Sequence, residues 1–374
     1  MTPRTIENGF FVFTMMPSLF CHLDCPHCYL SKAQRSDPTM LSAQIIEDAC
    51  RKIDAYWDKR GIKNREVVVY WYGGEPTSMG ISNFRDLFKR INDVFVRSKG
   101  YTVKHTVLTS LVSIKSDWFD VFHQLCSGEL HTSYDGDMRG ERYMAKWERK
   151  ISQAIDNGLE ISTLSVVNSE LLKLGGTACL DYLTSLGVDH TGWLPFMWND
   201  QNDQGSYAKY APTMENWSTF MIELSERWLE LKRSGANPPS VGQLQFVLHQ
   251  KEQATLSNIA GQTLFLMPNG DFVLPDYREG WKEFMQPFGN IIRQDFEQVL
   301  ASPARRAYLR RQVFRNHNPE CLSCEHADKC VMEFFKSNRP GDECFGGKRF
   351  VEWVLEHEYE IAQITPCSEK RLLY

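Results

Sequence analysis

The sequence predicts an α/β fold, a partial (β/α)6 barrel followed by a small α+β region. Two observations predict it. Strand-like and helix-like stretches alternate over about the first 235 residues, and the pattern changes after Pro238-Pro239. The expected division is 1–235 for the barrel, 236–350 for the second region and 351–374 for a C-terminal helix and tail.

The elements follow from local pattern. Phe10 to Phe13 is a candidate first strand. Ser42 can cap a helix to about Lys59 with Ile46, Ala49, Ile53 and Trp57 on its apolar side. Val67 to Tyr72 is β-branched and aromatic, hence a buried strand. Phe84, Leu87, Phe88, Ile91 and Phe95 recur at helical spacing. Thr102 to Leu108 alternates like a strand, and Trp118 to Leu125 is a further helix. His131 to Tyr134 and Leu159 to Val167 are strands around a helix over Tyr143 to Asn157. Leu171 to Leu186 is helical, weakened by Gly175 and Gly176. Asp189 to Phe196 is the sixth strand, and Thr213 opens a helix that Gly235 can end. Six such units are too few for an eight-stranded barrel, leaving a partial barrel or an open sheet. Beyond it, Leu264 to Leu266 and Phe272 to Leu274 flank the turn Pro268-Asn269-Gly270-Asp271, and Phe350 to Ile361 is a helix.

Composition narrows the function classes. The chain has 374 residues, 42 Lys plus Arg, 47 Asp plus Glu and a formal charge of −5. That balance gives no diffuse attraction to nucleic acid or anionic lipid, so neither is expected as a partner. Phe10 to Phe20, the most apolar early stretch, falls short of the ~20 residues of a membrane span and lacks a cleavage site. The expected compartment is the cytoplasm.

Of the eleven cysteines, Cys21, Cys25 and Cys28 form one group and Cys321, Cys324, Cys330 and Cys344 another. Cys50, Cys126 and Cys179 fall in helical stretches and are expected to be buried apolar residues; Cys367 lies in the tail as a spectator thiol. Such grouping indicates metal rather than a disulfide framework. Three soft ligands on one loop suit an iron-sulfur cluster, or zinc with a fourth ligand such as His22 or His27. His27 is otherwise expected to be exposed or to hydrogen-bond sulfur.

Cys21-x3-Cys25-x2-Cys28-Tyr29 resembles the signature of radical S-adenosylmethionine (SAM) enzymes, and Tyr72-Gly73-Gly74-Glu75-Pro76 resembles that family's Gly-Gly-Glu element. The resemblance implies a [4Fe–4S] cluster on the three cysteines, with its open iron bound by the methionine end of SAM. It implies that Gly73, Gly74 and Glu75 receive the SAM amino group, with Tyr29 beside the cluster. Thr109-Ser110 matches the end of the family's third strand, with Ser110 where Asn is common. Ser133-Tyr134-Asp135-Gly136 is similar to the Ser-Ile-Asp-Gly element, placing Ser133 and Asp135 along the SAM ribose. Arg142 lies where an arginine reaches the SAM carboxylate, with Arg139 competing. The implied activity is reductive cleavage of SAM to a 5′-deoxyadenosyl radical that removes substrate hydrogen, fed by an electron donor such as flavodoxin or ferredoxin.

The second group alone fits either tetrahedral zinc or a fully ligated cube. In context it resembles the C-terminal part of the SPASM and twitch domains, as do Asn269-Gly270 and Phe288-Gly289-Asn290-Ile291. No cysteine lies between Cys179 and Cys321, and Phe334 stands where a further one is expected, so the resemblance implies one auxiliary [4Fe–4S] cluster. Asp276 falls near the acidic residue of sulfatase-maturating relatives and is a candidate general base. Trp193, Phe196, Met197 and Trp198 are core residues or the border of a substrate cavity. The substrate implied is a peptide or protein side chain, with a small-molecule dehydrogenase or epimerase as runner-up and a zinc-stabilised binding protein as the non-enzymatic alternative. Because the cysteine motif starts at residue 21, no leader-peptide-binding domain is expected ahead of it.

Overall fold

A computed structural model describes residues 4–97, 100–199, 201–202, 205–253, 259–274, 286–314, 319–326, 329–330 and 340–364. Seven strands form the parallel framework: β1 (Phe10–Met15), β2 (Arg65–Trp71), β3 (Tyr101–Val107), β4 (Glu129–Thr132), β5 (Glu160–Val167), β6 (His190–Pro195) and the two-residue β7 (Ser240–Val241). β1, β2 and β3 pair side by side, as do β4 to β7. A parallel bridge between Leu108 and His131 joins the two sheets, with Thr109 N donating to His131 O at 3.0 Å. The six expected strands are therefore present, extended by β7.

Burial explains the strand pattern. Val67, Val69 and Trp71 of β2 are fully buried, as are Phe11 and Phe13 of β1, whose rings stack at 4.9 Å. Continuous apolar runs of this kind suit a sheet covered on both faces. The helix Ala43–Lys59 puts Ile46, Ala49, Cys50, Ile53 and Trp57 into the same core as the side chains of β1 and β2, and Ser42 caps it by accepting from Ile45 N at 3.2 Å. Cys50, Cys126 and Cys179 are buried within the helical layer or at its ends, as their sequence setting implies.

The second region is tied into the same sheet. β8 (Thr263–Leu266) runs parallel to β1, pairing Val12 with Thr263 and Met15 with Leu266. β9 (Asp271–Val273) and β10 (Pro287–Asn290) continue it antiparallel, giving the order β10-β9-β8-β1-β2-β3. Gly270, at φ +84°, makes the turn that Asn269-Gly270 announces. The helix Met214–Arg233 buries Trp217, Met221, Leu224 and Trp228, and the helix Lys348–Glu356 packs on it with Phe350 edge-on to Trp217 at 5.8 Å.

Candidate functional site

The site lies where β1 to β4 end, the face on which parallel barrels carry their chemistry. The chain leaves β1 and runs through residues 18–20 alongside the segment that follows β2. Gly74 N donates to Ser18 O at 3.1 Å and Glu75 N to Phe20 O at 2.9 Å. A Cβ on Gly74 would lie 2.2 Å from Leu19 O and 2.4 Å from Phe20 O, and one on Gly73, at φ +118°, 2.6 Å from Ser18 O. Both glycines are thus dictated by close backbone approach. This pairing sets the cysteine loop directly against Glu75.

A cavity of about 140 Å³ opens between them, lined by Cys21, Cys25, Cys28, Tyr29, Gly73, Gly74, Glu75, Ser110, Ser133 and Arg139, among others. Burial pushes the Cys21 thiol up to about 12 and raises Cys25 and Cys28 as well, with Arg139 and Arg35 opposing the rise at both of the latter. Such thiols stay protonated until a metal centre supplies compensating charge. Three soft donors lining one cavity suit an iron-sulfur cluster.

Glu75 is buried and ringed by donors. Its Oε1 accepts from Thr77 N at 3.2 Å, Thr77 Oγ1 at 2.6 Å and Thr109 Oγ1 at 2.7 Å, and its Oε2 from Ser110 N at 2.9 Å and Ser110 Oγ at 2.6 Å. Ser110 therefore reaches Glu75 although it stands in place of an amide. From Ser110 a polar chain crosses the mouth: Tyr143 Oη donates to Ser110 O at 3.2 Å and accepts from Arg139 Nη1 at 3.1 Å. Arg139 Nη2 pairs with Asp135 at 2.5 Å, and Asp135 accepts from Val166 N at 2.7 Å. Tyr29 stacks on Tyr72 at 6.3 Å.

Several expectations are corrected. Arg142 is exposed on the helix Glu141–Asp156 and does not line the cavity; the turn Gly136–Arg139 instead points Arg139 inward, where Asp135 neutralises it. Asp135 is fully buried behind Arg139 and is not among the lining residues. The His27 ring is neither exposed nor seen bonding sulfur. It lies edge-on to Phe196 at 6.2 Å with Nε2 3.5 Å from Arg139 Nη2, and burial lowers it to about 4. Trp193 is fully buried core, and Phe196, which does not line the cavity, packs edge-on to His27 of the cysteine loop. Asp276, Phe334 and Cys367 lie outside the described residues. Sequence reasoning missed Thr77, Tyr143 and Arg35; only Thr77 had a local signal, a hydroxyl two residues after a carboxylate at a Pro-initiated turn.

Of the second group, Cys321 sits in the 3-10 turn Pro319–Leu322, and Cys324, Cys330 and Cys344 lie outside helices and strands before the helix Lys348–Glu356. Cys324 N donates to Cys321 O at 3.4 Å, and Cys330 Sγ lies 3.2 Å from His326 O. A Cβ on Gly346 would be 3.1 Å from Cys330 Sγ and 3.5 Å from Cys344 Sγ, so this glycine lets the two thiols approach. Burial raises Cys344, and Cys324 is near enough to add to the rise. A wider depression of about 370 Å³ lies at the opposite end of the strands, lined by Arg4, Asn8, Glu66 and Thr102. It carries no thiol, and its charged groups are paired, Arg4 with Glu66 at 2.7 Å and Arg65 with Asp54 at 2.7 Å.

This is the fold of radical SAM enzymes with a SPASM-type C-terminal region. The solved structure of the sulfatase-maturating enzyme anSMEcpe with bound AdoMet matches with a TM-score of 0.74 at 15% identity, covering 94% of this chain and 99% of that one. SuiB of Streptococcus suis bound to precursor peptide SuiA matches with a TM-score of 0.59 at 16% identity, covering 86% and 71%. Among curated proteins, the chain is similar to the serine-type anaerobic sulfatase-maturating enzyme of Klebsiella aerogenes, 23% identical over 273 residues and covering 69% of this chain. The match spans 64% of that relative's length. No family model matches the sequence.

Proposed function

We propose that this chain is a radical SAM enzyme of the peptide-maturing type, acting on a carbon of a peptide or protein side chain. The observation that carries the reading is the three-cysteine loop facing the donor-ringed Glu75 across one cavity. A cluster on Cys21, Cys25 and Cys28, with SAM bound beside it, would supply reductive cleavage to a 5′-deoxyadenosyl radical. Gly73 and Gly74 let the backbone come close, and Glu75 accepts from the SAM ammonium. Thr77, Thr109 and Ser110 keep that carboxylate fixed, Tyr29 and Ser133 border the ligand, and Arg139 takes the carboxylate-binding role expected of Arg142. Asp135 acts through Arg139.

The division into a barrel at 1–235, an auxiliary-cluster region at 236–350 and a C-terminal helix and tail at 351–374 belongs to the same reading, although β7 carries the parallel sheet past residue 235. Cys321, Cys324, Cys330 and Cys344 would hold one auxiliary [4Fe–4S] cluster, which with four thiolates leaves no iron open to substrate. Asp276 is the proposed base, flavodoxin or ferredoxin the electron donor and the cytoplasm the compartment. The described helices include none long and apolar enough to cross a membrane. A peptide substrate is supported by the names of the similar proteins, a sulfatase maturase and an enzyme bound to its precursor peptide.

Anaerobic purification tests the reading. The expected protein is brown, holds about eight irons in two cubes, and releases 5′-deoxyadenosine when reduced with SAM. Cys25→Ala removes that product. A colourless zinc protein, or a Cys25→Ala variant as active as the parent, overturns the reading. Deuterium appearing in 5′-deoxyadenosine from a side-chain-labelled peptide identifies the substrate class.

A further inference from the structure

The loop from Cys21 to Leu30 contains no helix or strand; a single turn, Cys28 N to Cys25 O at 3.0 Å, is its internal backbone bond. Asn199, Ser113 and Arg139 each touch it at one residue, His27 or His22, whereas Arg35 meets it at several. Arg35 Nη1 donates to Leu23 O at 2.6 Å, between the first two cysteines, and Nε to Leu30 O at 3.2 Å, beyond the third. Its Nη2 pairs with Asp24 at 2.6 Å, and its own carbonyl accepts from Cys21 N at 3.0 Å. The side chain is only 14% exposed although its partner Asp24 is 89% exposed, so the guanidinium is held by the loop rather than by the surface ion pair. The short helix Lys32–Arg35 delivers it, closed by a capping box in which Ser31 and Gln34 bond reciprocally.

Resting on the radical SAM reading, we propose that Arg35 is the positioning residue of the three-cysteine site. Its planar fork ties Leu23 O, between the first two cysteines, to Leu30 O at the loop's end and orients the thiols toward the cavity. Lysine has one ammonium at the end of a flexible stem and cannot span Leu23 O and Leu30 O with the same fixed geometry. The guanidinium also places a permanent cation beside thiolates that become anionic when they bind iron, and such charge is one determinant of a cluster's potential.

The test compares the full-length parent, Arg35→Lys and Arg35→Gln after anaerobic reconstitution. Iron and sulfide, the electron paramagnetic resonance of the reduced protein with and without SAM, and thermal unfolding before reconstitution are measured. The expected result is iron falling about twofold in Arg35→Gln, with the SAM-responsive signal lost and the auxiliary signal kept. Arg35→Lys is expected to retain iron but to give an altered SAM-responsive signal and a weaker response to SAM. Near-parental unfolding of Arg35→Lys separates positioning from general instability. Parental iron with an unchanged SAM-responsive signal in both variants overturns the role of Arg35 alone. A parent without a SAM-responsive cluster overturns the radical SAM reading, and Arg35's role with it.

Discussion

Glu75 is held by donors of two kinds. Hydroxyls of Thr77, Thr109 and Ser110 can rotate to suit a changed partner, but the Thr77 and Ser110 backbone N–H groups cannot. In Glu75→Gln, either amide orientation therefore turns an NH2 onto a fixed N–H. The expected loss is about 1–3 kcal/mol of folding stability, even without ligand, together with weaker SAM binding. Denaturant unfolding and equilibrium dialysis check both; unchanged stability would mean that the carboxylate is not the acceptor it appears from these distances. Gly74→Ala should act through the backbone instead, because its Cβ would fall inside Leu19 O and Phe20 O. Displacement of residues 18–20 is expected to cost about 1–3 kcal/mol and to reduce iron uptake at the first site, measured by iron analysis after reconstitution. The glycines and Glu75 were legible as a contiguous motif beside the cysteine spacing, although the groups they meet, Leu19, Phe20, Thr109 and Ser110, are distant in sequence. Arg139 was harder to choose over Arg142, since only the turn ending at Gly140, at φ +90°, decides which arginine points inward.

At the scale of elements, β3 carries a buried base. His105 is 4% exposed, with Trp71 Nε1 3.1 Å from its Nδ1, the Asn92 amide 3.1 Å from its Nε2 and the Phe88 ring at 4.2 Å. Burial lowers it to about 3, below its ordinary 6.5. The unfolded chain then binds this proton more readily between those values, so the stabilisation is complete above 6.5 and declines as pH falls toward 3. At about 1.4 kcal/mol per unit, roughly 2 kcal/mol is lost by pH 5. A His105→Asn variant should show a correspondingly flatter stability profile between pH 7 and 5 in denaturant titrations; an equal slope would contradict the assignment. Strand and helix periods made most elements legible, including the caps at Ser42 and Thr213. The weakening by Gly175 and Gly176 of the expected helix over Leu171 to Leu186 was legible, but not its outcome: Gly175, at φ +82°, divides it into Ser169–Leu174 and Gly176–Leu186, and Gly176 packs where a Cβ would meet Phe220 O at 2.3 Å. The hairpin's parallel pairing with β1 also escaped, since strand neighbours far apart in sequence leave no period to read.

For the whole molecule, the same limit applies to how the second cysteine group meets the barrel. The four cysteines were visible by spacing; their attachment to the barrel was not, because it rests on bonds 128 and 125 residues apart. Asp342 accepts from Met214 N at 2.9 Å and Glu215 N at 3.1 Å, adding a second cap to the helix Met214–Arg233. Glu343 accepts from Ser218 Oγ at 2.8 Å and Arg349 N at 2.8 Å, joining that helix to the start of Lys348–Glu356. Cys344 follows directly, so the segment that anchors the two regions also presents a thiol. Asp342→Ala should remove the cap and cost about 1 kcal/mol, whereas Asp342→Asn, which retains an acceptor, should cost less. If the anchor also sets the position of Cys344, the Ala variant should lose iron from the auxiliary site while the SAM-responsive signal persists. Reconstitution with iron analysis and paramagnetic resonance separates these effects: a stability loss with full auxiliary iron would confine Asp342 to helix capping. Parental stability and iron together would show that the two regions are held by the Trp217–Phe350 packing without it.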